Sequence, residues 1–223
     1  MKFDKIGSLY KNSTTGCYEI GPLANGLGGP YGTATEYYRA WIAEHAAKPG
    51  ATSPFISQLT EIVESIPERD AGPFSLHHPD FGVNNIIIDD DYNILAVIDW
   101  EQTFTAPIEL AGQFPLRLLH FPPDLIPPEK NEEGVIIEPR WVEKEEERSM
   151  YLTGVEAFEM QQGVSDSSKL STVLLGERAD ILYLMRRWED EVPWLLTYEP
   201  DAVKDGMEKV MAKLRVSSED CKR

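Results

Sequence analysis

Cysteine is scarce in this chain. Only Cys17 and Cys221 occur in 223 residues, one near each end. Neither belongs to a metal-type or redox-type pair, which argues against a disulfide scaffold and makes a reducing compartment the default. Positive charge is also short: Lys and Arg total 21 against 38 Asp and Glu, a formal charge of -17. A phosphate backbone needs a basic face, so no nucleic-acid partner is expected. The balance favours solubility and cationic ligands, although most of these carboxylates read as solvated helix faces. No apolar run is long enough to cross a bilayer, so no membrane association is expected. Residues Met1 to Lys11 lack the apolar segment of a secretion signal and the Arg-rich pattern of a transit peptide. The expectation is an intracellular, cytoplasmic protein, in which the acceptor-like Asn12-Ser13-Thr14 is a chance match.

With 42% hydrophobic residues the chain can bury one core, and it reads as a single domain. Phe3, Ile6, Leu9 and Tyr10 precede the turn-rich run Lys11 to Gly16, and Tyr18, Ile20 and Leu23 follow it, which predicts a hairpin over residues 2–23. Residues 24–32, with four glycines, read as a loop. Thr33 and Glu36 form a capping box ahead of the apolar stripe Tyr37, Tyr38, Trp41 and Ile42. Ser53-Pro54 opens a second helix with face Phe55, Ile56, Leu59, Ile62, Val63 and Ile66, ended by Pro67. Ile86-Ile87-Ile88 and Ile94 to Ile98 read as paired strands joined by the turn Asp89 to Asn93. Residues 121–139 read as a loop. Helices are predicted over 141–162, 167–190 and 200–214, with core stripes that include Trp141, Met150, Tyr151, Val155, Phe158, Leu170, Val173, Leu174, Ile181, Leu182, Met185, Trp188, Val203, Met207, Val210, Met211 and Leu214.

The stretch that carries chemistry runs from Leu76 to Glu101. Phosphoryl transfer asks little covalent work of a protein. It needs one carboxylate to accept or orient the nucleophile's proton and oxygen ligands for Mg²⁺. An Asp, four residues, then an Asn leading into a strand can supply the base and one ligand from one tight loop. A second Asp at the end of the next strand supplies the other ligand, because the turn between strands returns the chain to the same mouth. His78-Pro79-Asp80 and Asn85 have this His-x-Asp-x4-Asn spacing, and Asp99-Trp100-Glu101 stands where a protein kinase has Asp-Phe-Gly.

These residues resemble the aminoglycoside phosphotransferase and choline kinase-like family, particularly its fungal-type branch. Ala106-Pro107 and Glu109-Leu110-Ala111 continue the resemblance, with Glu where many members have Asp. The segments Phe3 to Tyr10 and Ile20 to Leu23 also resemble that branch, so the likeness covers residues 3–23 and 76–116. It implies an α+β fold: a protein kinase-like C-terminal lobe, mostly helical, with small antiparallel β-hairpins. It implies ATP and Mg²⁺ as cofactors, Asp80 as catalytic base, and Asn85 and Asp99 as cofactor-binding and metal ligands. His78 would be a hydrogen-bonding strut, and Glu101 a supporting carboxylate. Pro79 replaces the more usual Gly before the base.

Other readings of single residues are blander. Asp89, Asp90 and Asp91 read as solvated turn residues, because the glycine and distal Glu of a calcium loop are missing. His77 and His78, adjacent in an extended segment, point to opposite sides and make an awkward zinc pair. His45 and His120 read as ordinary helix or loop residues, and Trp100 as a packing anchor. Gly26-Leu27-Gly28-Gly29 reads as a loop and not a phosphate cradle, because a helix follows it. Residues 1–75 contain no lysine strand of the kinase small lobe. The expectation is therefore a C-lobe whose N-lobe is absent, with 1–23 near the lobe junction, 76–116 the catalytic and metal-binding segment, and 139–215 a helical subdomain. The expected activity is phosphate transfer from ATP to the hydroxyl of a small, cationic molecule. The alternative is a catalytically inactive, pseudokinase-like binding module. A metal-dependent hydrolase lacks a ligand cluster in the sequence.

Overall fold

The computed structural model describes residues 2–48, 54–115, 118, 128–165, 169–176, 178–186, 201, 204–206 and 208–212. It is a mixed α+β structure in two compact units, Met1–Ala111 and Gly112–Arg223.

The first unit is organised by a four-stranded sheet. Strands β1 (Gly7–Lys11) and β2 (Tyr18–Gly21) form the hairpin predicted at the N-terminus, with Leu9 opposite Ile20. The turn is held by Asn12, whose carbonyl and side chain accept amides of Gly16, Thr14 and Thr15. The sheet then continues through residues far away in sequence. Its order is β2-β1-β6-β3, with β3 spanning Ser75–His77 and β6 spanning Phe104–Ala106. Neither was predicted as a strand, because three residues are too few to show a period of two. Their pairing is tertiary. Thr105, fully buried, accepts the Gly7 amide at 3.0 Å and lies 2.6 Å from the Lys5 carbonyl, to which its hydroxyl donates.

Helix α1 (Ala34–Ala47) starts at the predicted capping box. The Thr33 hydroxyl accepts from Glu36 N–H, and the Glu36 carboxylate accepts from Thr33 N–H. Tyr37, Tyr38 and Ile42 are buried, while Trp41 is half-buried and stacks on His45. Helix α2 (Pro54–Ile62) runs into a 3₁₀ turn at Val63–Ser65 and packs against α1. Ile56, Leu59, Ile62, Val63 and Ile66 are all buried, at about 2 kcal/mol of burial each. The cap Ser53 lies outside the described residues, and so does the Phe55 side chain. A two-stranded sheet, β4 (Ile86–Ile88) and β5 (Ile94–Val97), and the short helix α3 (Ile108–Ala111) complete the unit.

In the second unit the described part of the predicted 121–139 loop is a tight turn. Lys130 bridges Ile136, and the Asn131 side chain accepts from Glu133 and Val135 amides. Helix α4 (Pro139–Gln162) follows, with Pro in its first turn and left-handed Gly163 as its C-cap. Its apolar positions do not all enter a core. Trp141 is buried, but Met150 and Phe158 are exposed, which corrects the core assignment of those two. On so acidic a helix the apolar residues are too few to form one continuous buried stripe. The helix predicted over 167–190 is broken. Helix α5 (Leu170–Leu174) ends ahead of Gly176, and α6 (Ala179–Arg186) begins afresh. Glycine weakens a helix interior and marks the break. Glu159 of α4 joins α5 by accepting from the Leu170 and Ser171 amides and from the Ser171 hydroxyl. Leu174, Ile181, Leu182, Met185, Val210 and Met211 are buried as expected. Trp188, Val203, Met207 and Leu214 lie outside the described residues. No helix among the described residues is long and apolar enough to cross a membrane.

Candidate functional site

Strands β3 and β6 are antiparallel neighbours, with His77 opposite Phe104. Residues 78–103 therefore form one excursion closed at its base by that pair. Within it, β4 and β5 pair antiparallel, with Ile86 opposite Val97 and Ile87 opposite Ala96. The start of the excursion at His78 and its return at Asp99 are brought together by two nested antiparallel pairings. These pairings bring near one another the backbone segments that carry Asp80, Asn85 and Asp99.

Side chains tie the excursion across. His78 is buried, and its Nε2 lies 2.9 Å from the Ile98 carbonyl while its Nδ1 accepts the Asp80 amide at 3.2 Å. A carbonyl can only accept and an amide N–H can only donate. Both bonds are satisfied by one form of the ring, the neutral Nε2–H tautomer. The ring stands edge-on to Trp100 at 4.9 Å, and the Trp100 indole N–H donates to the Val97 carbonyl at 2.7 Å. His78 thus joins the backbone just before Asp80 to the backbone just before Asp99.

Asn85, also buried, ends a 3₁₀ turn at Val83–Asn85. Its Nδ2 donates to the Asp80 carbonyl at 2.8 Å and to the Asp80 carboxylate at 3.0 Å, and its own carbonyl accepts the Ile98 amide at 2.9 Å. Both partners of Nδ2 are acceptors, so the amide orientation follows. The two donor hydrogens are used within the loop, and Oδ1 remains as an acceptor.

Asp80 and Asp99 are exposed. Asp99 has φ 62°, the left-handed region, and Gln102 follows at φ 59°. For a residue other than Gly this conformation costs about 1 kcal/mol or more, less for Asp than for bulkier residues, and such positions concentrate at functional sites. Glu101 is exposed in the turn in which the Thr103 amide returns to the Trp100 carbonyl.

The donor set suits a hard cation that keeps most of its sites for water and phosphate. Asn85 Oδ1 and the Asp99 carboxylate are hard oxygen donors, the kind of which Mg²⁺ takes few from protein. Among the described residues no three His, Cys, Asp or Glu side chains are grouped to hold a metal by themselves.

The other residues singled out in the sequence have structural surroundings. His77 is buried in β3 with its ring edge-on to Phe104 at 5.1 Å. His45 Nδ1 lies 2.8 Å from the Trp41 carbonyl. Asp89 accepts from Asn93 through side chain and backbone, and from the Asp91 amide. These bonds, the Asn93 side chain first, hold its carboxyl below the usual range. Gly26, Gly28 and Gly29 are left-handed in a loop closed by the Leu23 amide on the Gly28 carbonyl, and α1 follows that loop. His120 lies outside the described residues.

Sequence reasoning named Glu109 only as continuing the resemblance and did not foresee its burial. Glu109, in α3, is 2% exposed and accepts the Tyr38 hydroxyl at 3.0 Å. Burial pushes its carboxyl up to about 7, against lowering by hydrogen bonds that include Tyr38. The available signal was a lone acid between Ile108 and Leu110. Comparison of the chain with family models, curated proteins and solved structures returns no match.

Proposed function

We propose that this chain is a kinase-like C-terminal lobe whose 78–101 excursion serves ATP- and Mg²⁺-dependent phosphate transfer to the hydroxyl of a small molecule. The observation that supports it most is the double donation of Asn85 Nδ2 to Asp80. It orients the Asp80 carboxylate and leaves Asn85 Oδ1 as an acceptor. Asp80 is the group to accept the substrate hydroxyl's proton, and its exposure gives a substrate access. His78 fixes the backbone on both sides of the mouth. Asn85 and Asp99 would hold magnesium, which when bound neutralises charge on the triphosphate. The acidic composition favours a cationic acceptor molecule.

Calorimetric titration of the full chain with Mg²⁺, with and without a non-hydrolysable ATP analogue, tests the reading. Magnesium should bind only with nucleotide, and Asp99→Ala should abolish that binding. Equal binding by wild type and Asp99→Ala would end the assignment. Asp80→Asn keeps shape and hydrogen bonding but removes the proton acceptor. Turnover on a hydroxyl substrate found by screening should fall by about 10²–10⁴-fold, with nucleotide affinity little changed. Nucleotide binding without transfer to any acceptor would favour the binding-module alternative.

A further inference from the structure

The second unit carries a groove that the proposed chemistry does not use. It has a volume of about 640 Å³ and lies between the 129–137 turn and α4. Val135 and Ile136 line it from the turn, and Val142, Glu145, Glu146, Ser149 and Met150 line it from α4. The α4 members recur at helical spacing, so the groove follows one helix face for about two turns. Its far wall is not a loose loop. The Ile137 amide reaches the Glu129 carbonyl at 2.9 Å, the Asn131 amide reaches the Val135 carbonyl at 2.9 Å, and the Asn131 side chain locks the turn.

Two properties define what fits. The apolar lining is open, with Met150 71% and Val135 56% exposed. A small molecule lying there could not bury most of its surface, as pocket ligands do, whereas an amphipathic helix needs only its apolar face covered. The surroundings are anionic on balance: residues 128–150 hold eight acids against four bases, although Glu145 also lies 3.9 Å from Arg148. On a chain of charge -17 this sets electrostatics against a second copy and in favour of a cation. A flexible thioether such as Met150 suits recognition of varied apolar side chains.

We propose that this groove docks a basic amphipathic helical peptide segment of a partner protein. Apolar side chains at i, i+3, i+4 and i+7 lie between the 129–137 turn and α4, and flanking Lys or Arg meet Glu145 and Glu146. The test titrates the full chain into a fluorescein-labelled Leu/Lys peptide with leucines at that spacing, followed by anisotropy. A scrambled peptide of the same composition is the control. Wild type should bind the patterned peptide at least about tenfold tighter than the scrambled one. Val142→Asp and Met150→Asp should each remove about that factor. The double variant Glu145→Gln, Glu146→Gln should weaken binding and flatten its salt dependence. All these side chains are exposed, and circular dichroism confirms that the variants fold. Equal binding of both peptides would overturn the groove, leaving only bulk charge. Indifference to Val142→Asp, or no binding, would overturn it too. A self-association in sedimentation that Val142→Asp abolishes would overturn it in favour of a second copy.

Discussion

The first unit contains two hairpins of similar length that are stabilised differently. The β1–β2 hairpin is extended by β6 and β3 into a four-stranded sheet, with Thr105 buried at the join. The β4–β5 hairpin stays two-stranded, and Ile87, Ile88, Ile94 and Leu95 are all exposed. A lone two-stranded hairpin is marginal in water. What secures it is polar: His78 on Ile98, Ile98 on Asn85, and Asn85 on Asp80. The hairpin that bears the candidate chemistry is thus tied down by the residues that shape the site. Local stability and site geometry should be lost together there, and independently in the other hairpin.

The largest effect on stability is expected at Glu109, beside neither hairpin turn, and it measures the core on which both depend. Burial keeps this carboxyl protonated in the fold up to about 7, while the unfolded chain ionises near the ordinary glutamate value of 4.5. Between those pH values the unfolded state binds fewer protons, so stability falls as pH rises through the window and levels off above it. The full cost is about 3 kcal/mol. Glu109→Gln should remove that slope, leaving a difference from wild type that grows from pH 4.5 to 7 in urea unfolding. A pH-independent difference would contradict the burial assignment.

Next in size is His78→Phe, which keeps the ring packing on Trp100 but strands the Asp80 amide and the Ile98 carbonyl. The expected loss is about 2 kcal/mol. Hydrogen exchange should quicken at Ile98, whose amide donates to Asn85, and not in the β1–β2 hairpin. Uniform quickening in both hairpins would break the comparison.

The smallest effect separates backbone strain from chemistry at Asp99. Asp99→Ala and Asp99→Gly both remove the carboxylate, but only Gly relieves the left-handed backbone. Asp99→Gly should be the more stable of the two by about 1 kcal/mol in thermal unfolding, with nucleotide-dependent magnesium binding lost in both.

The candidate site residues could be named from the sequence because their spacing is local. His78, Asp80 and Asn85 lie within one loop, and Asp99 follows a strand whose apolar run and acidic turn announce it. The capping box at Thr33 and Glu36, and the α2 face from Ile56 to Ile66, were readable for the same reason: each is complete within a few turns of chain. The join of β1 to β6 was not readable. It rests on Thr105 meeting Gly7 and Lys5, groups about a hundred residues apart, and a three-residue strand has no pattern of its own. Nor was the tautomer of His78, which only the two facing backbone groups decide.

On α4 the apolar letters at Met150 and Phe158 look like those at Trp141, yet only Trp141 is buried. Glu109 looks like any acid at the start of a short helix, yet it is buried against Tyr38. Sequence by itself determined the longer local elements and which residues are candidates for the site, because capping, periodicity and turn chemistry act over a few residues. Tertiary structure alone decided strand order, burial and hydrogen-bond partners, because those depend on which distant surface arrives to exclude water.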